Sequence, residues 1–523
     1  MLGNATTIRR TLEEKARSHP NRVYMIHRGA ALTLGELDRR VNRFANGLAR
    51  LGFKAGDRVA LMLSNHPDHF YAFLACAKLG VVQVPANTNL RGASLEFLFK
   101  HADPHGVIAD DHFAEHLVPA LAGTKSKHVI WRGAATDVPG KRAHSFGAVM
   151  ESGAETPPPG NPLPEDVLSL SYTSGTTGQP KGVMVTDAMF RASAYGAVRL
   201  GDIRAGDVLY LWEPLFHIGG SEVIVLGVFF DVAIALTERF SASRFWPEVR
   251  QAKATHIHHL GGILSILMKQ PPAPDDGDNT VRVAWGAGAP ARIRQQFAER
   301  FKVKVTESYG MTECSSITTA NAEGDPEAGV GAPMPYFEVR IADDEGRPLG
   351  AGQMGEILVR EKEPGFIMKG YFRNKEATAA ALKGGWMHTG DLGSFDAKGN
   401  YHYLGRKKDS LRRRGENVSA WEVERVLLTH PAVEECAVVG VDTDVGEQDI
   451  KAYIKPAAGT APDPLDIIQW CEARLAYFQV PRYVAFVDAF AKTATERVQK
   501  EKLSKQADGA WDLEASGYKL RRR

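Results

Sequence analysis

The sequence predicts an α/β protein with a large N-terminal domain of mostly parallel sheets, a β-rich subdomain and a small α+β domain at the C-terminus. Apolar strand patterns alternate with amphipathic helix patterns over most of the 523 residues, and this alternation is typical of right-handed βαβ units. Turn signals such as Asp344–Gly346 and Asp396–Asn400 lie between short apolar strands and predict the hairpin-rich part. The patterns after about Arg406 predict a separate C-terminal unit.

The first βαβ unit follows directly from hydrophobic spacing. Residues 34–51 place apolar side chains three and four positions apart, which predicts an amphipathic helix. A buried strand at 57–63, a helix at about 66–79 and a strand at 81–84 come next. The same strand pattern recurs at 207–212, 232–236 and 281–284.

The sequence also predicts two exposed loops and the elements of the C-terminal unit. Thr156–Pro164 and Gln270–Asp278 are rich in proline and glycine, which predicts exposed loops. For the C-terminal unit we expect helices at 420–428 and 464–475, with strands at 437–441 and 450–454 between them.

Composition excludes several classes of function. The 64 basic and 62 acidic residues leave a net charge of +2, so no large positive field is available to hold nucleic acid. The four cysteines have no pairing or zinc-like spacing, which is typical of free thiols in a reducing compartment. No signal peptide and no apolar run of about 20 residues is present. We therefore expect a soluble, cytoplasmic protein without nucleic-acid or membrane partners.

The strongest chemical signal is the string YTSGTTGQPKG at Tyr172–Gly182, directly after the apolar strand pattern at 167–170. Small and hydroxylated residues let backbone N–H and side-chain O–H groups converge on an anion, and Lys181 adds a positive charge. The string differs from the ordinary P-loop because Gly182 stands where a magnesium-binding Ser or Thr would follow the lysine. An ordinary Gly/Ser/Thr turn has a similar composition, so composition alone leaves both interpretations open.

The string itself resembles the phosphate-binding loop of the adenylate-forming (AMP-binding) acyl-CoA synthetase superfamily. Within it, the chain is most similar to the carnitine/crotonobetaine-CoA ligases. The resemblance implies that Lys181 is catalytic and that the loop binds ATP and AMP through Thr173, Ser174, Gly175, Thr176, Thr177 and Gly178. It also implies a mobile C-terminal lid, with residues 1–407 as the adenylation domain and 408–523 as the lid.

Further motifs of the superfamily follow in the expected order, and the resemblance implies their roles. Trp285–Pro290 resembles the adenine-side loop, and Thr306–Glu313 the motif whose tyrosine, here Tyr309, stacks on the adenine. Thr312 would contact the α-phosphate, and Glu313 would hold Mg²⁺, which prefers carboxylate oxygens. The remaining nucleotide-binding positions are Gly288, Ala289, Pro290, Glu307, Ser308, Gly310 and Met311, with Asp391 and Arg406 at the ribose, Lys408 at the hinge and Gly415 on the CoA side.

The resemblance also points to an acyl pocket beside His217, His259 and Gly286. His217 lies in the apolar loop Pro214–Gly220, where a histidine is otherwise an ordinary packed or surface residue. The nearby run His256–His259 could be taken for a metal site. Strand alternation would place His256 and His258 on one face, but no Cys or carboxylate adjoins them in sequence, so the acyl-pocket interpretation is preferred.

The chain departs from the superfamily near its end. Members carry Pro-Thr-Gly-Lys there, and that lysine bridges the acyl carboxylate and the phosphates. Here Glu496 replaces the glycine and Arg497 replaces the lysine. Arginine keeps the charge but presents a planar fork, and Lys500 lies three residues further along. We expect Arg497 to take the catalytic role, with Lys500 as the alternative.

The resemblance therefore predicts an AMP-forming acid–CoA ligase that uses ATP, Mg²⁺ and coenzyme A to activate a small carboxylic acid, with a homodimer as a possible assembly. Two alternatives remain open at this point. One is a stand-alone adenylation enzyme that loads a carrier protein, and the other is a nucleotide-binding homologue with weakened catalysis. The sequence does not identify the acid.

Overall fold

The computed structural model describes residues 6–173, 180–407, 410–413, 416–443, 448–492 and 498–520. Over these ranges the chain divides into two compact units. The larger unit holds Met1–His259, Leu264–Glu338 and Val359–Met387, and the smaller holds Leu260–Ile263, Val339–Leu358 and His388–Arg523. The boundary after residue 407, between the expected adenylation domain and the expected lid, stays a prediction. In the described ranges, no helix is long and apolar enough to cross a membrane.

The larger unit contains two sheets of the predicted α/β type. In the first, parallel pairing joins most neighbours, and an antiparallel hairpin closes one edge. Its strands lie in the order Arg142–Ser145, His128–Arg132, Gly106–Asp110, Arg58–Met62, Val82–Pro85, Val167–Thr173 and Lys181–Thr186.

The second sheet has a mixed pairing pattern and carries most of the predicted site motifs. Its strands lie in the order Ala332–Pro333, Thr319–Asn321, Glu307–Tyr309, Val283–Ala287, His256–Leu260, Val208–Leu211, Ala233–Leu236, Val23–His27 and Ala30–Thr33, and Lys304–Val305 pairs with Val283–Ala287. The strand predicted at 281–284 is thus displaced to Val283–Ala287. Gly286 therefore lies within this strand. Its lack of a side chain permits the strand to pack closely against the backbone of His259.

Helices cover these sheets, and local sequence explains their ends. The predicted helix at 34–51 is confirmed as Leu34–Arg50, where Glu36 accepts a hydrogen bond of 2.9 Å from the backbone N–H of Thr33 in a capping box. The helices around the sheets are Ile8–Ser18, Leu34–Arg50, Pro67–Leu79, Gly92–Ala102, Ala114–Ala120, Phe146–Ser152, Asp187–Gly201, Ile218–Phe229, Phe245–Gln251, Ile263–Met268 and Ala291–Phe301.

The predicted β-rich segment follows these elements. It contains the strands Phe337–Ala342, Gly355–Glu361, Leu382–Lys383, Trp386–Phe395 and Tyr401–Arg406, with the helix Lys375–Ala381. The last two long strands form an antiparallel pair in which Asp391 lies opposite Arg406.

The C-terminal part has the predicted α+β pattern. Its strands are Ser410–Arg413, Glu416–Ser419, Val433–Asp442, Gln448–Pro456, Tyr483–Phe486 and Trp511–Asp512, and its helices are Ala420–Leu427 and Pro464–Glu472. Apolar side chains from both helices and from the strands, such as Val423, Ile450 and Ile467, form one buried core. The predicted helices and strands are confirmed here, with ends that differ by a few residues.

Candidate active site

The predicted motifs of the larger unit lie where neighbouring strands of the second sheet end. Leu209 pairs in parallel with His256, and Ala287 pairs in parallel with Ser308. The strands therefore lead into their following loops at the carboxyl edge of the sheet, which is the usual ligand-binding edge in α/β folds. This edge carries the segments 213–217, 288–290 and 310–313.

The phosphate-loop motif connects two strands of the first sheet. Thr173 lies opposite Lys181 in an antiparallel pair, while Ser174, Gly175, Thr176, Thr177 and Gly178 lie outside the described residues. A later segment pairs with the second strand: the backbone N–H of Phe372 donates to the carbonyl of Gly182 over 2.8 Å. The segment at 370–372 is therefore held beside Lys181.

This pairing brings Lys181 and Glu313 to the same side chain, Tyr371. The ammonium of Lys181 lies 5.0 Å from the centre of the Tyr371 ring, within range of a cation–π contact. The hydroxyl of Tyr371 donates to Oε1 of Glu313 over 3.0 Å, and Glu313 is 5% exposed. Burial raises the pKa of Tyr371, and the charge of Glu313 raises it further. Tyr371 thus remains a neutral donor that orients the Glu313 carboxylate.

Glu313 is the residue predicted to hold Mg²⁺, and it would do so as a single protein carboxylate. The described ranges hold no group of three His, Cys, Asp or Glu side chains that could enclose a metal. Mg²⁺ in nucleotide sites is often held by one or two carboxylates together with the phosphates. Glu313 is a buried carboxylate suited to such a metal, and its role as a Mg²⁺ ligand stays a prediction.

The backbone around Glu313 is tightly constrained. Thr312, Glu313 and Cys314 form a short 3₁₀ turn after the extended Met311, and the carbonyl of Glu313 accepts from the N–H of Met368 over 2.9 Å. Tyr309 is 7% exposed at the end of its strand. A Cβ atom on Gly310 would lie 1.7 Å from the carbonyl oxygen of Ser316, so only glycine fits this approach.

Glu307 has a structural function that the sequence did not indicate. Its buried carboxylate accepts hydrogen bonds from the backbone N–H groups of Gly288 and Ala289, and Nε of Arg294 lies 3.6 Å away. These contacts hold the loop that ends at the exposed Pro290. Glu307 therefore holds the predicted adenine-side loop through its backbone N–H groups. A direct contact of Glu307 with AMP stays a prediction.

Two strands pack so closely at the predicted acyl pocket that Gly286 cannot be replaced without movement. A Cβ atom on Gly286 would lie 1.8 Å from the carbonyl oxygen of His259 and 2.9 Å from its Cγ. Nε2 of His259 hydrogen-bonds the carbonyl of Thr306 over 2.9 Å, and the hydroxyl of Ser308 donates to the carbonyl of Gly286 over 2.8 Å. Burial lowers the pKa of His259 to about 3, so this ring is neutral at pH 7.

The other histidines occupy distinct environments. His217 occupies the N-cap position of the helix Ile218–Phe229 without a capping hydrogen bond from its side chain, and its half-buried ring has its centre 4.5 Å from that of Phe216. His256 is buried, and its Nε2 hydrogen-bonds the carbonyl of Gly201 over 2.9 Å. His258 hydrogen-bonds the buried carboxylate of Glu213. These contacts give each ring its own protein partner. Roles for His217 and His259 in an acyl pocket stay predictions.

In the smaller unit, the two predicted ribose-binding side chains lie together. Nε of Arg406 is 3.7 Å from Oδ1 of Asp391, and both residues belong to one antiparallel pair. The neighbouring backbone is held by Glu356, which accepts from the N–H of Gly390 over 3.1 Å and pairs with Lys407 at 3.1 Å. The predicted hinge Lys408 and the predicted CoA-side Gly415 lie outside the described residues.

Two lysines, Lys492 and Lys500, lie on either side of the segment that differs from the superfamily motif. Each has a carboxylate partner. Nζ of Lys500 lies 2.7 Å from Oε1 of Glu424, and Nζ of Lys492 lies 2.9 Å from Oε2 of Glu435. Glu424 also accepts from the backbone N–H of Val438 over 2.6 Å. Lys500 is thus engaged within its own unit, whereas Arg497 lies outside the described residues.

Comparison with known proteins identifies the family. A family model described as AMP-binding enzyme matches residues 12–372, and one described as AMP-binding enzyme C-terminal domain matches residues 422–497. The chain belongs to the AMP-binding enzyme family. The first model covers more than half of the chain, and the second lies within the region predicted as a lid.

Similar proteins are CoA ligases. The crotonobetaine/carnitine–CoA ligase of Escherichia coli (strain SE11) is 30% identical over 481 residues, which are 90% of this chain and 92% of the ligase. The anthranilate CoA ligase AuaEII in complex with anthranoyl-AMP has a TM-score of 0.87 at 25% identity, over 98% of this chain and 99% of that chain. The o-succinylbenzoate CoA synthetase of Bacillus subtilis, with its acyl-adenylate intermediate, has a TM-score of 0.82 at 28% identity, over 95% and 99%.

Two of these proteins were solved with an acyl-adenylate, and all three are named as ligases or synthetases that use CoA. The predicted superfamily, fold class and enzyme class are therefore confirmed. A CoA ligase is also favoured over the two alternatives, the carrier-loading enzyme and the weakened homologue.

The close approach at Gly286 gives a testable prediction. We expect Gly286→Ala to lower the free energy of unfolding by about 3 kcal/mol, the upper end of the usual cost of overpacking, because the new methyl group overlaps backbone atoms that cannot rotate away. Chemical denaturation would measure this change. Gly147→Ala is the matched control, since its Cβ would meet only Oγ of Ser145, at 3.6 Å. Equal stability of the two variants would contradict the packing assigned to Gly286.

Proposed function

We propose that this protein uses ATP and Mg²⁺ to join a small carboxylic acid to coenzyme A through an acyl-AMP intermediate. The observation that carries the proposal is the contact chain from Lys181 through Tyr371 to Glu313. It places a cation and an oriented carboxylate beside the loop motif that resembles a phosphate-binding loop. The names of the CoA-dependent relatives support coenzyme A as the acceptor.

The first step forms acyl-AMP. A carboxylate oxygen of the acid attacks the α-phosphorus of ATP, and the bond to pyrophosphate breaks. Lys181 and a cation from the C-terminal unit would stabilise the charge that develops on the phosphoryl oxygens. Mg²⁺, when bound, would neutralise phosphate charge, and Glu313 would be its protein ligand. Tyr371 would hold the Glu313 carboxylate in one orientation.

The second step forms the thioester. The sulfur of coenzyme A attacks the acyl carbonyl, and AMP leaves with the electron pair of the broken C–O bond. Asp391 and Arg406 would bind the ribose of the departing AMP. The superfamily resemblance supports a rotation of the C-terminal lid between the steps, since one pocket cannot present two different surfaces at once.

Two assignments outside the site also belong to this proposal. The four cysteines Cys76, Cys314, Cys436 and Cys471 are free thiols, which supports a reducing compartment such as the cytoplasm. A homodimer is the second assignment and stays a prediction.

The identity of the nucleotide products tests the reaction. After turnover with a competent acid and coenzyme A, we expect AMP and pyrophosphate in equal amounts, because attack at the α-phosphorus expels pyrophosphate. Chromatographic separation of the nucleotides and an enzymatic pyrophosphate assay would measure both. A reaction without coenzyme A is the control and should still release pyrophosphate once per active site. ADP with orthophosphate would contradict the proposal.

Glu313→Gln tests the charge at the metal position. We expect pyrophosphate release to slow by roughly 10²–10³-fold, because one electrostatic partner of the transition state is lost. Tyr371→Phe is the matched comparison, since it removes only the hydroxyl that orients Glu313, and it should cost less. A Glu313→Gln variant that releases pyrophosphate at a nearly normal rate at low Mg²⁺ would argue against the metal role.

The identity of the bridging cation is tested by separating the two steps. We expect Arg497→Ala to slow acyl-AMP formation far more than thioester formation from preformed acyl-AMP, because a guanidinium can contact carboxylate and phosphate together. Lys500→Ala should leave the first step largely intact, since Lys500 is paired with Glu424. Rapid-quench measurement of each half-reaction gives both rates. The reverse pattern would transfer the bridging role to Lys500.

A further inference from the structure

His101 hydrogen-bonds the first residue of the phosphate-loop motif, and the steps above do not use it. Its Nδ1 lies 2.6 Å from the hydroxyl oxygen of Tyr172, and the two rings are nearly perpendicular, with centres 5.8 Å apart. His101 lies in the last turn of the helix Gly92–Ala102, and Tyr172 lies in the strand Val167–Thr173. The contact thus joins this helix to the strand that leads into the motif.

The Tyr172 ring also covers the residue at the other end of the motif. Tyr172 lies opposite Gly182 in the antiparallel pair, and a Cβ atom on Gly182 would lie 3.2 Å from Cζ of the Tyr172 ring. A Ser or Thr after Lys181, as in an ordinary P-loop, would therefore crowd this ring. Through Tyr172, His101 is thus connected to both ends of the motif.

The segment that pairs with the hairpin also holds His101. The ring of Phe372 lies edge-on to the His101 ring, with centres 5.8 Å apart, and the backbone N–H of Phe372 donates to the carbonyl of Gly182 over 2.8 Å. Nη1 of Arg373 donates to the carbonyl of His101 over 3.0 Å. The ring and the backbone of His101 are therefore both fixed against this segment.

The contact reaches Lys181 through the backbone of the hairpin. Lys181 directly precedes Gly182 in the strand Lys181–Thr186. Neighbouring residues of a strand point to opposite faces, so the Lys181 side chain extends away from the face that Tyr172 covers. On that opposite face its ammonium lies 5.0 Å from the centre of the Tyr371 ring. Holding the Tyr172–Gly182 pair therefore also fixes the position from which Lys181 extends.

The hydrogen bond joins two groups that are neutral at pH 7. Burial lowers the pKa of His101, and the charge of Arg373 lowers it further, while burial raises the pKa of Tyr172. A phenol and a neutral imidazole can share one proton between oxygen and nitrogen. The contact therefore fixes geometry without adding a charge to the site.

We infer that His101 is a positioning residue for acyl-AMP formation, because through Tyr172 it holds the strand from which Lys181 reaches the phosphates. This inference rests on the proposed function, since it concerns the step in which Lys181 stabilises charge on the phosphoryl group. A small displacement of such a cation weakens that stabilisation even when ATP is bound. His101 acts through Tyr172 and the backbone, without contact to the reacting atoms.

The test measures the two half-reactions separately in variants that keep each ring but lose the hydrogen bond. His101→Phe and Tyr172→Phe each remove one polar partner. Rapid quench with ATP and a competent acid gives the rate constant of acyl-AMP formation, and preformed acyl-AMP with coenzyme A gives that of thioester formation. The ratio of the two rate constants, measured on one preparation, does not depend on its folded fraction.

We expect each single variant to lower the ratio of acyl-AMP formation to thioester formation by about tenfold, because one orienting hydrogen bond is lost. The double variant should have the same ratio as either single variant, since both substitutions remove one shared contact. A general loss of stability would not change the ratio.

His144→Phe is the matched control. His144 is also half-buried, and its Nε2 lies 3.0 Å from Nδ1 of His128. It lies in the strand Arg142–Ser145, at the opposite edge of the first sheet from Lys181. Its ratio should equal that of the unmodified protein.

The outcomes separate this inference from the proposed function. An unchanged ratio in His101→Phe, or a double variant whose loss is the product of the two single losses, would overturn the inference while the proposed function stands. An equal loss in His144→Phe would also overturn it, since the effect would then come from a general change in the sheet. Failure of the unmodified protein to yield AMP and pyrophosphate with any cationic, aromatic, dicarboxylic or fatty acid would instead overturn the proposed function.

Discussion

Parallel pairing in the second sheet is the constraint on which the candidate site depends. Parallel neighbours must send their following loops out at the same edge, so the segments after Leu211, Ala287 and Tyr309 meet although they are far apart in sequence. The first sheet adds Lys181 through an antiparallel hairpin and Tyr371 through a segment paired with that hairpin. Strand direction and pairing thus determine which segments of the larger unit lie close together.

Close backbone approach is the second constraint, and it explains two of the glycines in the motifs. Gly286 and Gly310 each face a carbonyl oxygen at a distance that no Cβ atom can share. The carbonyl of Gly286 accepts from the hydroxyl of Ser308, and the N–H of Gly288 donates to Glu307. Gly286 thus serves packing between two strands, and Gly310 serves packing against the turn at Ser316.

Buried charge is treated in two different ways in the larger unit. Lys78 is fully buried, but it lies 2.6 Å from Asp38 and 3.3 Å from Glu13, so its charge is compensated within the fold. Glu213 and Glu222 are also buried, but their partners differ: Glu213 hydrogen-bonds the ring of His258, and Glu222 accepts from the hydroxyl of Ser193. Burial raises the pKa of Glu222 to about 7, so this carboxyl is partly neutral near pH 7. The fold thus accommodates buried charge by pairing in the first case and by a raised carboxyl pKa in the second.

The sequence by itself determined the α/β class, most helix and strand positions and the motif at Tyr172–Gly182, because hydrophobic spacing and residue type are local properties. It also contained two unused signals: Glu213 follows the apolar strand Val208–Leu211 by two residues, and Glu222 is the single acidic residue of the apolar helix Ile218–Phe229. Only the tertiary structure decided that Glu213 hydrogen-bonds His258, that Tyr371 joins Lys181 to Glu313, and that Lys500 pairs with Glu424. Each of these contacts joins residues from separate elements, and their meeting depends on strand order and packing, which linear spacing does not encode.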